Sequence, residues 1–279
     1  MSQLTYLYAI VRAGQPDDTM LGRLQGVDDA AVEELVEGSL AALYSQVSLD
    51  VWGPDVLDEH VRNMDWLAPR ATQHQQVLAA LQAASHSMLP LPFATLYHRR
   101  DTVRDLLCAR QAELATRLER LERAEEWTLK IAQDPAVFEQ HVERLSPALA
   151  RAEEQSRAAP PGKAYLLRKQ LETLRRSEAA RVTTRQSDEI EQRVTPLVAA
   201  TIREPITRQA RTAGVDQGGD TATRVVLKLA LLLRQDTRDS VQTQLAAIAE
   251  EFGEFGYVFE LAGPWPPYSF AGVEPEKDV

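Results

Sequence analysis

FGYVFELAGPWPPYSF, Phe255 to Phe270, sets a strand pattern directly against a stiffened aromatic run. Phe255, Tyr257, Phe259 and Leu261 alternate with Gly256, Val258, Glu260 and Ala262, the period-two signature of a strand with one buried face. Pro264, Pro266 and Pro267 then fix φ around Trp265 and lead into Tyr268 and Phe270. Near-terminal segments are usually small, polar and poorly ordered. This one is built to pack, and it predicts a cap on the last strand of a sheet.

Working back from that strand, Val225, Leu227, Leu229, Leu231 and Leu233 form a continuous strand face, with a helix from Asp236 to Phe252 between the two. At the other end of the chain, Leu4, Tyr6, Tyr8 and Ile10 alternate with Thr5, Leu7, Ala9 and Val11. A strand apolar on both faces is a central one. Leu40 to Val47 reads as a second strand, and helical spacing follows from Pro54 to Met64 and from an N-cap at Asp65 through Leu81. Leu89 to Tyr97, LPLPFATLY, is a short strand that begins at an edge or after Pro92, since Pro90 and Pro92 cannot donate ladder hydrogen bonds. An amphipathic helix opens at Asp101 or Thr102 and runs through Leu121, with Glu113–Arg117 and Glu119–Arg123 pairs on its wet face. Glu126 to Ile131 resumes strand character, and Asp134 caps the next helix.

After the breaker AAPPG (158–162), a helix begins at Lys163 and persists to about Arg193, and the helical segment, kinked or restarted at Pro196 and Pro205, continues to about residue 211 before a loop at Gly214 to Asp220. Its polar stretch, Arg175 to Glu189, predicts a helix that projects from a domain or bridges two. The element order gives an α+β protein of two domains, 1–132 and 133–279, each with the parts of a modified ferredoxin-like, split βαβ unit.

Composition narrows the function. The chain has 279 residues, 44% of them hydrophobic, enough for two cores. Its apolar runs fall short of a membrane span, and Tyr6 to Tyr8 reads as a strand where a secretory signal would be apolar and helical. With a lone Cys108, these features predict a cytoplasmic address. A net charge of −10 argues against nucleic-acid binding. Pro160 to Arg211 nevertheless carries eleven Lys or Arg against six Asp or Glu, so the charge is polarised and that segment suits an acidic partner or simply a solvated face.

No phosphate loop, nucleophile elbow or metal-ligand spacing occurs, so no cofactor, metal or catalytic set is expected. His60, His74, His86, His98 and His141 are scattered. His74, on the apolar side of its helix, is the best single candidate for general-base work, against the alternative of a hydrogen-bonded core histidine. Trp265 either folds back on its own sheet or presents a rigid ring to a partner.

Three segments, LTYLYAIV (4–11), PPGKAYLLRKQLE (160–172) and GPWPPYSF (263–270), together resemble the gas vesicle accessory family GvpF/GvpL. LPLPFATLY is similar to that family's mid-domain strand, with Ala94 where members often carry glycine. The resemblance covers essentially the whole chain. It implies two modified ferredoxin-like domains joined with a long helical element, no enzymatic activity, and a minor component or assembly factor acting on the small hydrophobic shell protein, with other accessory proteins as further partners. Carried onto this sequence, it makes Lys163, Tyr165, Leu166, Arg168 and Lys169, together with Pro264, Trp265, Pro266, Pro267 and Tyr268, the candidate partner-binding residues. The competing readings are a small ferredoxin-like enzyme of phosphatase type with His74 or a basic cluster at its site, and a permanent part of the shell.

Overall fold

The computed structural model describes residues 3–84, 87–206 and 223–272, without the side chains of 161, 162 and 164–166. Two compact units divide the chain: residues 1–126 together with 264–279, and residues 127–263.

The first unit is organised by β1 (Gln3–Arg12), whose residues Leu4 to Val11 are all buried, as a strand apolar on both faces requires. β3 (Leu40–Ser48) pairs antiparallel with it, and β2 (Glu33–Glu37) pairs with β3 on the outer side. The register between β1 and β3 shifts between Leu7 and Ala9, leaving Tyr8 as the extra residue of a bulge. Its hydroxyl donates to Ser45 Oγ at 2.9 Å and accepts the Val27 N–H at 2.9 Å, so the bulge aims a polar tip at two partners. Along the other edge of β1 lie β4 (Met88–Pro90) and β5 (Leu96–Tyr97), giving the order β2-β3-β1-β4 with β5 also on β1. LPLPFATLY is therefore two short strand pieces around a turn. Thr95 N–H closes the turn on the Pro92 carbonyl, and Ala94 takes a left-handed φ of 61°.

A helix α4 (Met64–Ala83) follows the short helices α1 (Asp18–Leu21), α2 (Leu49–Trp52) and α3 (Pro54–His60). Asn63 caps α4, two residues before the expected Asp65. Its buried residues His74, Val77, Leu78 and Leu81 face Tyr6, Tyr8 and Trp52 in the core. The amphipathic stretch after Arg99 is two helices, α5 (Arg100–Ala109) and α6 (Gln111–Arg120), because Arg110 leaves helical geometry at φ −112°, ψ 16°. Glu113 and Arg117 pair as their spacing predicts, whereas Glu119 lies near Arg12, and Arg123 adopts a positive φ of 53°.

The second unit holds the sheet β7-β8-β6-β9, made by β6 (Ala124–Gln133), β7 (Ala200–Arg203), β8 (Arg224–Arg234) and β9 (Tyr257–Trp265). Val225, Leu227, Leu229, Leu231 and Leu233 are buried at 5% exposure or less, which makes β8 the spine of the core. α7 (Pro135–Leu145) starts at Asp134, whose carboxylate accepts the N–H groups of Ala136 and Val137, and α8 (Pro147–Arg157) starts at Ser146. Beyond α9 (Pro161–Val194), α10 (Arg238–Gly253) packs Val241, Leu245, Ile248 and Phe252 into the same core.

α9 corrects two expectations. It runs to Val194, close to the expected end near Arg193, but does not restart beyond Pro196 toward 211: Pro196 sits in a 3₁₀ turn and Ala200–Arg203 then joins the sheet antiparallel to β8. The interval from Gly214 to Asp220 lies outside the described residues. The polar stretch does not project: Glu178, Gln186 and Ser187 are buried within the unit. Ser146 Oγ donates to Glu178 at 2.6 Å, Tyr257 O–H to Gln186 at 2.8 Å, and Gln133 Nε2 to Thr183 at 3.2 Å. Counting apolar positions misses a helix seated through paired polar groups.

Candidate functional site

The terminal run differs from its expected role as a cap on the second sheet. β9 itself continues to Trp265, and from Pro264 onward the segment belongs to the first unit. Pro266 and Pro267 are buried, and a short helix α11 (Tyr268–Ala271) follows them. Four side chains tie the segment down. Gln82 Nε2 donates to the Trp265 carbonyl at 3.3 Å, and Gln75 Nε2 to the Tyr268 hydroxyl at 3.2 Å. Ser269 donates its N–H and its hydroxyl to Glu126, at 2.9 and 2.7 Å, and Arg117 Nη1 donates to the Ala271 carbonyl at 2.8 Å. Beyond that carbonyl the chain turns at Gly272 with φ 57°, a backbone conformation that calls for glycine.

His74 completes the attachment. The ring is fully buried, with Nδ1 2.9 Å from the Tyr6 hydroxyl and Nε2 3.0 Å from the Tyr268 hydroxyl. The Tyr6 oxygen also accepts the Ala94 N–H at 3.2 Å, just as the Tyr268 oxygen accepts from Gln75. One nitrogen of the neutral ring donates and the other accepts, and both tyrosine hydroxyls can serve either role. Burial lowers His74 to about 4 from the ordinary 6.5, and burial raises Tyr268 to about 12, so both are neutral near pH 7. Both ring nitrogens are engaged and the ring is enclosed, so nothing in the geometry supports the general-base reading of His74.

The other described histidines do not gather. His60 stacks on Trp66 and contacts the Val51 carbonyl through Nδ1, His141 meets the edge of Phe255, and His86 lies outside the described residues. Among the described residues no three His, Cys, Asp or Glu side chains converge as metal ligands. No described helix is long and apolar enough to cross a membrane.

Two surfaces remain from the sequence-predicted set. Trp265 is 47% exposed although the prolines after it are buried, so the run both packs and presents a ring. Early in α9, Lys163, Arg168 and Lys169 are exposed and pair with no described acid. Along the same helix Lys169, Gln170, Thr173, Leu174 and Ser177 line a hollow of about 680 Å³. The side chains of Tyr165 and Leu166 lie outside those described. The roles of Glu126, Arg117 and Gln82, and the pairing of His74 with Tyr6 and Tyr268, were invisible to sequence reasoning. The His74–Tyr268 contact spans 194 positions, and nothing local marks it.

Comparison with known proteins places this architecture. Residues 4–272 match the family described as gas vesicle synthesis protein GvpL/GvpF. The chain is 29% identical over 279 residues to gas vesicle protein L of Streptomyces sp. (strain CB03234), covering 99% of this chain and 96% of that one. It is 27% identical over 274 residues to gas vesicle protein L2 of Halobacterium salinarum, covering 97% and 92%. The fold is similar to the crystal structure of the gas vesicle protein GvpF from Anabaena sp. PCC7120, with a TM-score of 0.67 at 20% identity over 98% of this chain and 100% of that one.

Proposed function

Because the chain belongs to the GvpL/GvpF family of gas vesicle synthesis proteins, we propose that it is a non-catalytic accessory protein that binds the small hydrophobic shell protein in the cytoplasm and supports vesicle growth. The observation that carries this reading is the pair of surfaces left open by the fold: a half-exposed Trp265 on a rigid segment, and the cations Lys163, Arg168 and Lys169, paired with no described acid, beside an open hollow. Aromatic rings and cations at exposed, pre-ordered positions are what protein interfaces use. The same reading takes each unit as a modified ferredoxin-like fold. The order β2-β3-β1-β4, antiparallel at every pairing in the first sheet, fits two interleaved βαβ units whose first crossover helix has shrunk to the four residues of α1.

Co-expression with the major shell protein, followed by pull-down of the full chain, tests the function. Retention of the shell protein is expected, weakened at least tenfold by the double change Arg168→Glu and Lys169→Glu and separately by Trp265→Ala, with each variant folded. A full chain that retains no shell protein under any salt condition ends the proposal. Recovery of the protein on vesicles washed with denaturant identifies a permanent shell component instead of a transient assembly factor.

A further inference from the structure

The segment from Pro264 to Gly272 is tied to the first unit by a small number of side chains, and its innermost tie is a titratable one. We infer that this segment is a latch that opens as a unit when His74 takes up a proton. In the closed form the neutral His74 ring sits between the Tyr6 and Tyr268 hydroxyls, accepting at one nitrogen and donating at the other. A second proton goes to the accepting nitrogen and makes both nitrogens donors. The hydroxyl that donated to it then loses its acceptor, and the cationic ring sits among apolar side chains.

The surroundings offer that cation one neutral acceptor, the Leu91 backbone, which burial outweighs. β1 contributes Tyr6 and Tyr8, both kept neutral by burial, and the latch contributes Tyr268. The turn after β4 contributes the Leu91 backbone and the Phe93 ring. On α4 itself Arg70, one turn away, is engaged by Asp28 and lies over Trp66, and Gln75 is already bonded to Tyr268. No described carboxylate is hydrogen-bonded to the imidazole; Glu126 reaches the latch at Ser269.

Opening the latch hydrates His74 and returns it to an ordinary histidine. Between about 4 in the closed form and 6.5 in the open one, each unit of acidification favours opening up to tenfold. From pH 7.5 to pH 5 the open population rises about 30-fold. Opening exposes Tyr268, Pro266 and Pro267 and frees Trp265 from the Gln82 tether. The closed latch thus fixes where the ring of Trp265 points.

Hydrogen exchange on the intact protein, corrected for intrinsic rates, reads this directly. Amides of Trp265 and Tyr268 to Gly272 are expected to lose about 30-fold of protection between pH 7.5 and 5 while those of β1 stay protected. His74→Gln, which keeps a polar side chain but cannot titrate in that range, is expected to remove the step. Glu126→Gln, which changes the other titratable contact, is expected to leave it in place. Tyr268→Phe keeps the ring and loses the tie, so its latch amides are expected to be poorly protected at both pH values even if His74→Gln does not fold. The inference is overturned by wild-type protection that is flat across the range, by a step that survives in His74→Gln or vanishes in Glu126→Gln, by a well-protected latch in Tyr268→Phe, or by β1 and the latch losing protection together.

Discussion

The carboxylate of Glu126 takes both hydrogens that Ser269 offers, the backbone N–H at 2.9 Å and the hydroxyl at 2.7 Å. Glu126 is 6% exposed, so each of these bonds is made to a charge largely withdrawn from water. Hydrogen bonds to charged groups contribute about 1.5–3 kcal/mol, roughly twice the neutral kind. Ser269→Ala removes one of the two and is expected to cost about 1–2 kcal/mol in urea unfolding. A loss below the error of that measurement would show that water replaces the hydroxyl and that the acid is wetter than its exposure indicates.

His74 also sets a pH dependence of global stability. Its folded value is depressed, so the unfolded chain binds the proton more readily. The contribution is complete above about 6.5, is lost progressively as pH falls from 6.5 to 4, and is constant below that. The full span corresponds to about 3 kcal/mol. Subtracting the curve of His74→Gln from that of the wild type isolates this residue from the carboxylates, which titrate in the lower part of the same range. The difference curve is expected to slope between pH 6.5 and 4 and to be level from 7 to 8.

At Ala94 a residue with a Cβ occupies φ 61°, between Pro92 and the Thr95 N–H that closes the turn. The left-handed region costs a non-glycine residue about 1–2 kcal/mol, and glycine returns part of that gain through the greater freedom of its unfolded chain, about 0.4–1 kcal/mol. Ala94→Gly is therefore expected to stabilise the protein by about 0.5–1 kcal/mol, read as a higher urea midpoint at unchanged slope. An Ala94→Val change at the same site is expected to destabilise, since a branched side chain fits that region worst.

What could be read along the chain, and what could not, divides by the range of the interaction. β1 and β8 were legible because their own residues carry the pattern: an alternation apolar on both faces, and five apolar positions from Val225 to Leu233 on one face. The Asp134 cap and the Glu113–Arg117 pair were legible because they act within one helical turn. β7 was not, since four residues with an exposed Ile202 leave no period to detect after a helix that ends at a proline. Nor was the docking of α9 through Glu178 and Gln186, where burial is satisfied by polar partners 32 and 71 positions away. The motif GPWPPYSF was conspicuous, and its rigidity was rightly read as a sign of packing. Its receptor was hidden, because Gln75, Gln82, Arg117 and Glu126 are ordinary surface-type residues until the fold brings them to it.

Gly256 joins α7 to the last strand through its backbone alone. Its carbonyl accepts the Asp134 N–H at 2.8 Å, at the residue whose carboxylate caps α7, and its φ of 82° is one that L residues avoid. A Cβ there would lie 2.9 Å from Val137 Cβ and 3.1 Å from the Asp134 carbonyl oxygen, closer than those atoms can tolerate on a helix already fixed by its cap. Gly256→Ala thus combines a conformational penalty of about 1–2 kcal/mol with a steric one that is relieved only by moving the first turn of α7. The expected loss is about 2–4 kcal/mol, and it should couple to the cap. In a double-mutant cycle with Asp134→Ala the two losses should fall short of additive by about 1 kcal/mol, because a displaced first turn has already weakened the capping bonds. Strict additivity would mean that the helix start stays in place and that β9 moves instead.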